Sequence, residues 1–355
     1  MRIAWFRGID ANASDPLDRT AALIDELRRR HDISVIVERG AHDFVWQHRQ
    51  RPWDLCVFEL DNTLEHQFVW GYVSNYPGVA LLHSTDVANL RVAVLASRAA
   101  VVSDRGLAQR LQARFPDANV RYAPPFAAAA AHAGDANVAV ARTDRNASVA
   151  SEPIRLAVYD DRDRGHLIDR AIERARNAGA LVEVLERGTI PGGLARADIV
   201  IAPGWPPFHS ASTPLLAAMA AGKAVITSET ETTAEWPALD PQTWRPRGLS
   251  VSDSPLAVTV DPRDEEHSLM LAIRKLAADA TLRDQLGRAA RVWWEANATP
   301  IRAASAWQAI VAEAIALSPP PRPDDWPRQF VQNGTELSRE ILGEFGMSGS
   351  GIGNW

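Results

Sequence analysis

The 355-residue sequence has a single cysteine, Cys56. No disulfide can form within the chain, so stability must come from an apolar core. Cys56 lies in the run Leu55-Cys56-Val57-Phe58, where a thiol is expected to be buried as a small hydrophobe. No apolar stretch is long enough to span a bilayer, and the N-terminus enters a strand-like run without the basic segment, apolar core and cleavage site of a signal peptide. A cytoplasmic location is expected, with peripheral contact at the inner face of the membrane left open. An excess of positive charge is missing as well: 38 Lys and Arg face 44 Asp and Glu, giving −6. That balance argues against nonspecific binding to nucleic acid. No GxGxxG fingerprint, P-loop, HExxH helix, CxxC pair or GxSxG elbow occurs, so dehydrogenase, ATPase, zinc hydrolase and serine esterase readings lack local support. No metal-binding cluster is visible either, and no cofactor is expected.

What is present is the composition of a soluble globular protein, 46% hydrophobic and 23% charged, in a chain longer than one core usually organises. Short apolar runs at 3–6, 33–37, 55–58, 79–82 and 101–102 read as strands, separated by segments able to form helices, the first over 17–30. Such alternation implies a parallel sheet covered on both faces. From 126 to 153 the sequence turns alanine-rich and weakly patterned, which suits a linker. The pattern then restarts, with strands at 154–159, 181–185 and 199–201, a helix at 167–178, and a compact helix-glycine-strand unit in which 214–221 ends at Gly222 before a strand at 224–227. Helices over 268–278, 281–295 and 301–317 follow, the last stopped by Pro319-Pro320-Pro321. Trp326, Phe330 and Phe345 suggest a tail packed along the body. The expected fold class is α/β, with an N-terminal Rossmann-like domain over 1–130, a linker over 131–152, a second Rossmann-like domain over 153–300, and a C-terminal helix and tail over 301–355.

In open parallel sheets ligands bind beyond the carboxyl ends of the strands, which directs attention to four loops. Arg7-Gly8-Ile9-Asp10 offers flexible backbone and a carboxylate, or simply a tight turn. Asp160-Asp161-Arg162-Asp163-Arg164-Gly165 precedes a helix; its arginines match a diphosphate in charge and geometry, or the five charges form a solvated loop. Ser210, Ser212 and Thr213 gather before another helix and suit phosphate or ribose, or serve as N-caps. Leu82-His83-Ser84-Thr85-Asp86 places an imidazole and a carboxylate at a strand end, though a lone histidine is often structural.

Two segments carry a resemblance. PLLAAMAAGKAVITSE, 214–229, is similar to the donor-site segment of the bacterial family-four glycosyltransferases of GT-B fold, and DLCVFELDNTLEHQFVWGYVSNYPGVALLHS, 54–84, resembles their strand, Asn-containing loop, YPG turn and Leu-His-Asp corner. The opening strand and WPALDPQTWRP are similar too. Where family members carry two donor-site glutamates, this chain has Ser210 or His209, and Ala217; Glu231 and Thr232 replace paired glycines, Glu235 stands where a later glutamate is expected, and Ser84 replaces the corner aspartate.

The resemblance implies GT-B architecture, two domains facing a cleft, and a hexosyltransferase-type, retaining transfer from a nucleotide-sugar to an acceptor. That acceptor is a glycan, a lipid-linked sugar, a protein or a small molecule. It implies His83 as the catalytic residue and Arg162, Arg164, Ser210, Ser212, Thr213 and Glu235 at the donor. Gly8, Asp10, Asn62 and Asp86 would meet the acceptor. The altered glutamates also fit a catalytically silent homologue acting as a scaffold or partner of an active glycosyltransferase, or one that binds nucleotide-sugars without transfer.

Overall fold

The computed structural model describes residues 1–8, 19–83, 87, 89–127, 152–159, 164–188, 193–203, 212–230, 232–234, 236–247, 254–321, 326–327 and 335–346. Strands β1 (Arg2–Phe6), β2 (Asp32–Ile36), β3 (Leu55–Leu60), β4 (Val79–Leu82), β5 (Ala99–Val102) and β6 (Val120–Tyr122) form a sheet in the order β2-β1-β3-β4-β5-β6. All its pairings are parallel. The apolar runs of β3, β4 and β5 are buried at every position, because helices cover both faces. Alternation sorts the side chains. Phe6, Cys56, Phe58, Leu82 and Val102 point to one face with Phe44 of helix α2 (Ala41–Gln50). Ile3, Trp5, Val57, Leu81 and Val101 point to the other, with Leu23 and Leu27 of α1 (Arg19–Arg28). Burial raises the Cys56 thiol to about 12, so it stays protonated.

The connections carry α3 (Trp70–Val73), α4 (Leu90–Leu95) and α5 (Arg105–Arg114). A second sheet runs β12-β11-β13-β10-β9-β7-β8, built from β7 (Ile154–Tyr159), β8 (Val182–Gly188), β9 (Ile199–Ile201), β10 (Ala224–Ser228), β11 (Ala238–Leu239), β12 (Pro246–Arg247) and β13 (Ala257–Val260). Among the described residues only the β11–β12 pair is antiparallel. One face packs against α6 (Gly165–Asn177) and α8 (Glu265–Ala278), and the other against α7 (Thr213–Ala220) and α9 (Ala280–Asn297). As the sequence implies, Gly222 closes α7 with φ +64°, a conformation open to glycine at no steric cost. The same corner needs a second glycine, because a Cβ on Gly287 of α9 would stand 2.1 Å from the Gly222 carbonyl. Lys223 then turns inward and donates to the carbonyls of Ala195 and Ala197 at 2.8 and 2.9 Å.

Helix α10 (Pro300–Ala316) follows α9 directly but packs on the first sheet. Thr299 caps it by accepting from the Arg302 N–H, and Pro300 occupies the first turn, where its missing donor costs nothing. Trp307 meets Trp5 with ring centroids 5.1 Å apart, and Glu313 pairs with Arg121 of β6. Beyond α10, Trp326 is buried against Val92 and Ala96, whereas Phe345, near the end of α11 (Thr335–Glu344), is 73% exposed. Of the tail aromatics expected to pack along the body, Trp326 is buried and Phe345 is exposed. Phe330 lies outside the described residues.

Candidate functional site

The carboxyl ends of the two sheets meet at a common seam. Asp104, just past β5, accepts at Oδ1 from the Leu107 N–H, capping α5, and at Oδ2 from the Thr232 hydroxyl at 3.1 Å, just past β10. Thr232 is held in a turn knit by Thr233, which accepts from the Thr230 N–H and donates to the Ser228 carbonyl. Thr232 stands where the resemblance would place one of the paired glycines; Glu231, at the other position, lies outside the described residues.

At the first sheet's edge the structure assembles a buried polar cluster. Glu59 belongs to β3 and points to the same face as Trp5, away from Phe58 and Leu60. Its Oε1 accepts from Trp5 Nε1 at 2.7 Å and lies 3.6 Å from Arg7 Nε; its Oε2 accepts from His83 Nε2 at 3.3 Å. Glu59 and Arg7 are each 3% exposed. Burial by itself would raise the Glu59 carboxyl, but the His83 hydrogen bond, the charges of His83 and Arg7 and the Trp5 hydrogen bond outweigh it and hold it below its ordinary value. An ionised carboxylate can only accept, so His83 carries its proton on Nε2 when neutral and keeps its lone pair on Nδ1. The ring is about one third exposed, a base with a fixed tautomer at the rim of the cleft.

His66 sits beside it, 6.3 Å from His83 between ring centroids, with Nδ1 sharing a 2.7 Å hydrogen bond with the Thr63 hydroxyl. Burial lowers its pKa, against the raising charge of Glu59. Gly8 is required here by space: a Cβ would stand 2.7 Å from the His66 ring.

The second sheet presents a different arrangement. Arg164, immediately before α6, pairs with Glu265 at the start of α8. Glu265 is 5% exposed, its Oε1 has no hydrogen-bond partner among the described residues, and burial raises its pKa despite the neighbouring Arg164. Ser212 is the N-cap of α7, accepting from the Leu215 N–H at 3.2 Å, and Thr213 is the helix's first residue. Ala217 is fully buried in α7 and offers no carboxylate.

Of the residues selected from sequence, the structure brings Gly8 and His83 together, and Asn62 follows β3 in an exposed turn where its N–H donates to Asp61. Arg164, Ser212 and Thr213 stand at helix starts in the second sheet. Asp10, Asp86, Arg162, Ser210 and Glu235 lie outside the described residues. Sequence reasoning missed Arg7, Glu59 and His66 as partners of His83; the available signal was a carboxylate inside the otherwise apolar run LCVFEL. Among the described residues no group of three or more His, Cys, Asp or Glu side chains is placed to hold a metal ion, and no helix is long and apolar enough to cross a membrane.

No protein-family model matches the sequence, and no curated protein matches it. Solved structures do match. HepE of Anabaena, crystallised with UDP and glucose, superposes with a TM-score of 0.57 at 12% identity over 88% of this chain and 99% of its own. A glycosyltransferase from Rickettsia africae gives 0.56 at 13% identity over 89% and 99%. With two largely parallel sheets meeting at their carboxyl ends, the chain has the GT-B fold.

Proposed function

We propose that the chain is a glycosyltransferase that binds a nucleotide-sugar against the second domain and an acceptor against the first. The observation that carries this reading is the likeness to HepE over nearly the whole of both chains, since that protein was crystallised with UDP and glucose. The site adds a chemical rationale. In transfer, the bond from the anomeric carbon to the diphosphate breaks, the acceptor oxygen bonds to that carbon, and the acceptor's hydroxyl proton passes to the departing diphosphate. His83 Nδ1 is suited to accept a hydrogen bond from a sugar or acceptor hydroxyl, with Glu59 fixing the ring through Nε2. Arg164 would balance the leaving diphosphate, which requires it to exchange Glu265 for phosphate. Retention of configuration follows from the family resemblance.

Release of nucleoside diphosphate from UDP-, GDP- and ADP-sugars in the presence of candidate glycan acceptors tests the proposal. Turnover is expected with one donor and should fall by about a hundredfold in His83→Ala. Absence of turnover with every donor would contradict it. A second reading, a binding protein or scaffold without transfer, is favoured by the engagement of Arg164 with Glu265 and by the missing carboxylate at Ala217. Tight nucleotide-sugar binding without turnover would select it.

A further inference from the structure

A cavity of about 510 Å³ opens where the two domains touch. Its floor is the Asp104–Thr232 contact, and its walls come from both sheets and from α9 and α10. Trp236 and Trp293 form one side, with ring centroids 5.0 Å apart and planes inclined by 52°; Tyr122 lines it as well. Two guanidinium groups join them. Arg105 lies over the Tyr122 ring at 5.0 Å, and Arg302 projects from the first turn of α10. Among the described residues neither forms an ion pair, and the carboxylate that lines the wall there, Asp104, is already committed to the α5 cap and to Thr232.

This combination has a defined preference. Indole and phenol faces suit the apolar face of a pyranose ring, and uncommitted guanidinium groups suit a carboxylate or phosphate. The volume falls within the range of ordinary small-molecule sites. The cavity also continues toward the polar cluster: a small hollow touching His83 shares Ser103, Pro124 and Pro125 with it. The hollow at His83 thus adjoins the cavity that holds the tryptophans.

We propose that this cavity is the acceptor subsite and that the acceptor is a saccharide bearing an anionic group, a carboxylate or a phosphate, held by Arg105 and Arg302. The name acceptor rests on the transferase reading, whereas the preference for an anionic saccharide rests on the cavity alone. The test is tryptophan fluorescence titration of the full chain with cellobiose, with cellobiouronic acid, and with cellobiose phosphorylated on its terminal hexose. UDP, GDP and ADP are titrated in parallel.

At least one anionic probe is expected to bind about tenfold or more tighter than cellobiose, and the advantage should vanish in Arg105→Gln/Arg302→Gln. Both substitutions are on exposed side chains and leave the core intact. Whichever anionic probe binds tighter identifies the source of the charge. Equal binding of all three saccharides, or an advantage that survives the double substitution, overturns the subsite while nucleotide binding remains free to succeed. Failure of every nucleotide with the anionic preference retained overturns the transferase reading and leaves the subsite standing.

Discussion

Each domain of this chain buries a glutamate beside an arginine at the edge of its sheet, and the two pairs are built in opposite ways. Glu59 receives Trp5 and His83, has Arg7 close by, and is held ionised below the ordinary carboxylate range. Glu265 has Arg164, leaves Oε1 without a partner among the described residues, and has its pKa raised by burial. A buried charge supplied with several donors is a fixed piece of architecture, whereas one left short of them is the easier to disrupt. The first domain thus holds a preassembled polar cluster around His83. In the second, the arginine suited to an anionic ligand is occupied by an internal carboxylate that a phosphate could displace.

The contrast can be broken most forcefully at Glu59. Replacing it with alanine removes the buried carboxylate that receives Trp5 and His83 and lies beside Arg7, and should destabilise the fold by about 3–5 kcal/mol, measured by urea unfolding. Loss below about 1 kcal/mol would mean that the cluster is not held as described. Asp104→Ala, which removes the α5 cap and the contact across the seam, should cost about 1–2 kcal/mol in the same assay. Glu265→Gln should cost about 1 kcal/mol or less, because burial already disfavours the ionised Glu265 and the glutamine amide keeps its shape. The same variant should bind nucleoside diphosphate more tightly than wild type, since its arginine no longer pairs with the Glu265 carboxylate.

Acidity sharpens the comparison. The folded Glu59 carboxyl is depressed, so its contribution is present above the unfolded value and is lost as pH falls through the folded one. The Glu265 carboxyl is raised, so its contribution is present below the unfolded value and is lost as pH rises through the folded one. The stability of wild type relative to Glu59→Gln should therefore increase with rising pH, while that relative to Glu265→Gln should decrease. Slopes of the same sign would refute the contrast.

Much of the fold was legible in the residues themselves. The strands at Val79–Leu82, Ile154–Tyr159 and Ile199–Ile201 are short apolar runs bounded by turn-forming or polar residues, and their ends fall where the sequence places them. β6, β11, β12 and β13 escaped notice: β6 and β12 contain arginine, β11 has two residues, and β13 interrupts its apolar run with Thr259. None carries enough periodicity to stand out from a loop. The site was legible only in fragments. His83 and Gly8 mark strand ends, but Glu59 lies one residue beyond the run 55–58 that reads as strand, and nothing in its neighbourhood names its partners. Only the register of β3 against β1, which sets Val57 opposite Trp5 on the same face, shows it to be a buried partner of the indole. Long-range pairings such as Arg164 with Glu265 and Asp104 with Thr232 have no local signature at all.

Calorimetric titration of the full chain with UDP, GDP and ADP tests the central claim most directly, because every form of nucleotide-sugar chemistry at this cleft needs a nucleotide site. The account predicts that one of them binds wild type, binds Glu265→Gln more tightly and binds Arg164→Ala more weakly. If none binds even at millimolar concentration, the nucleotide-sugar reading of the cleft is contradicted.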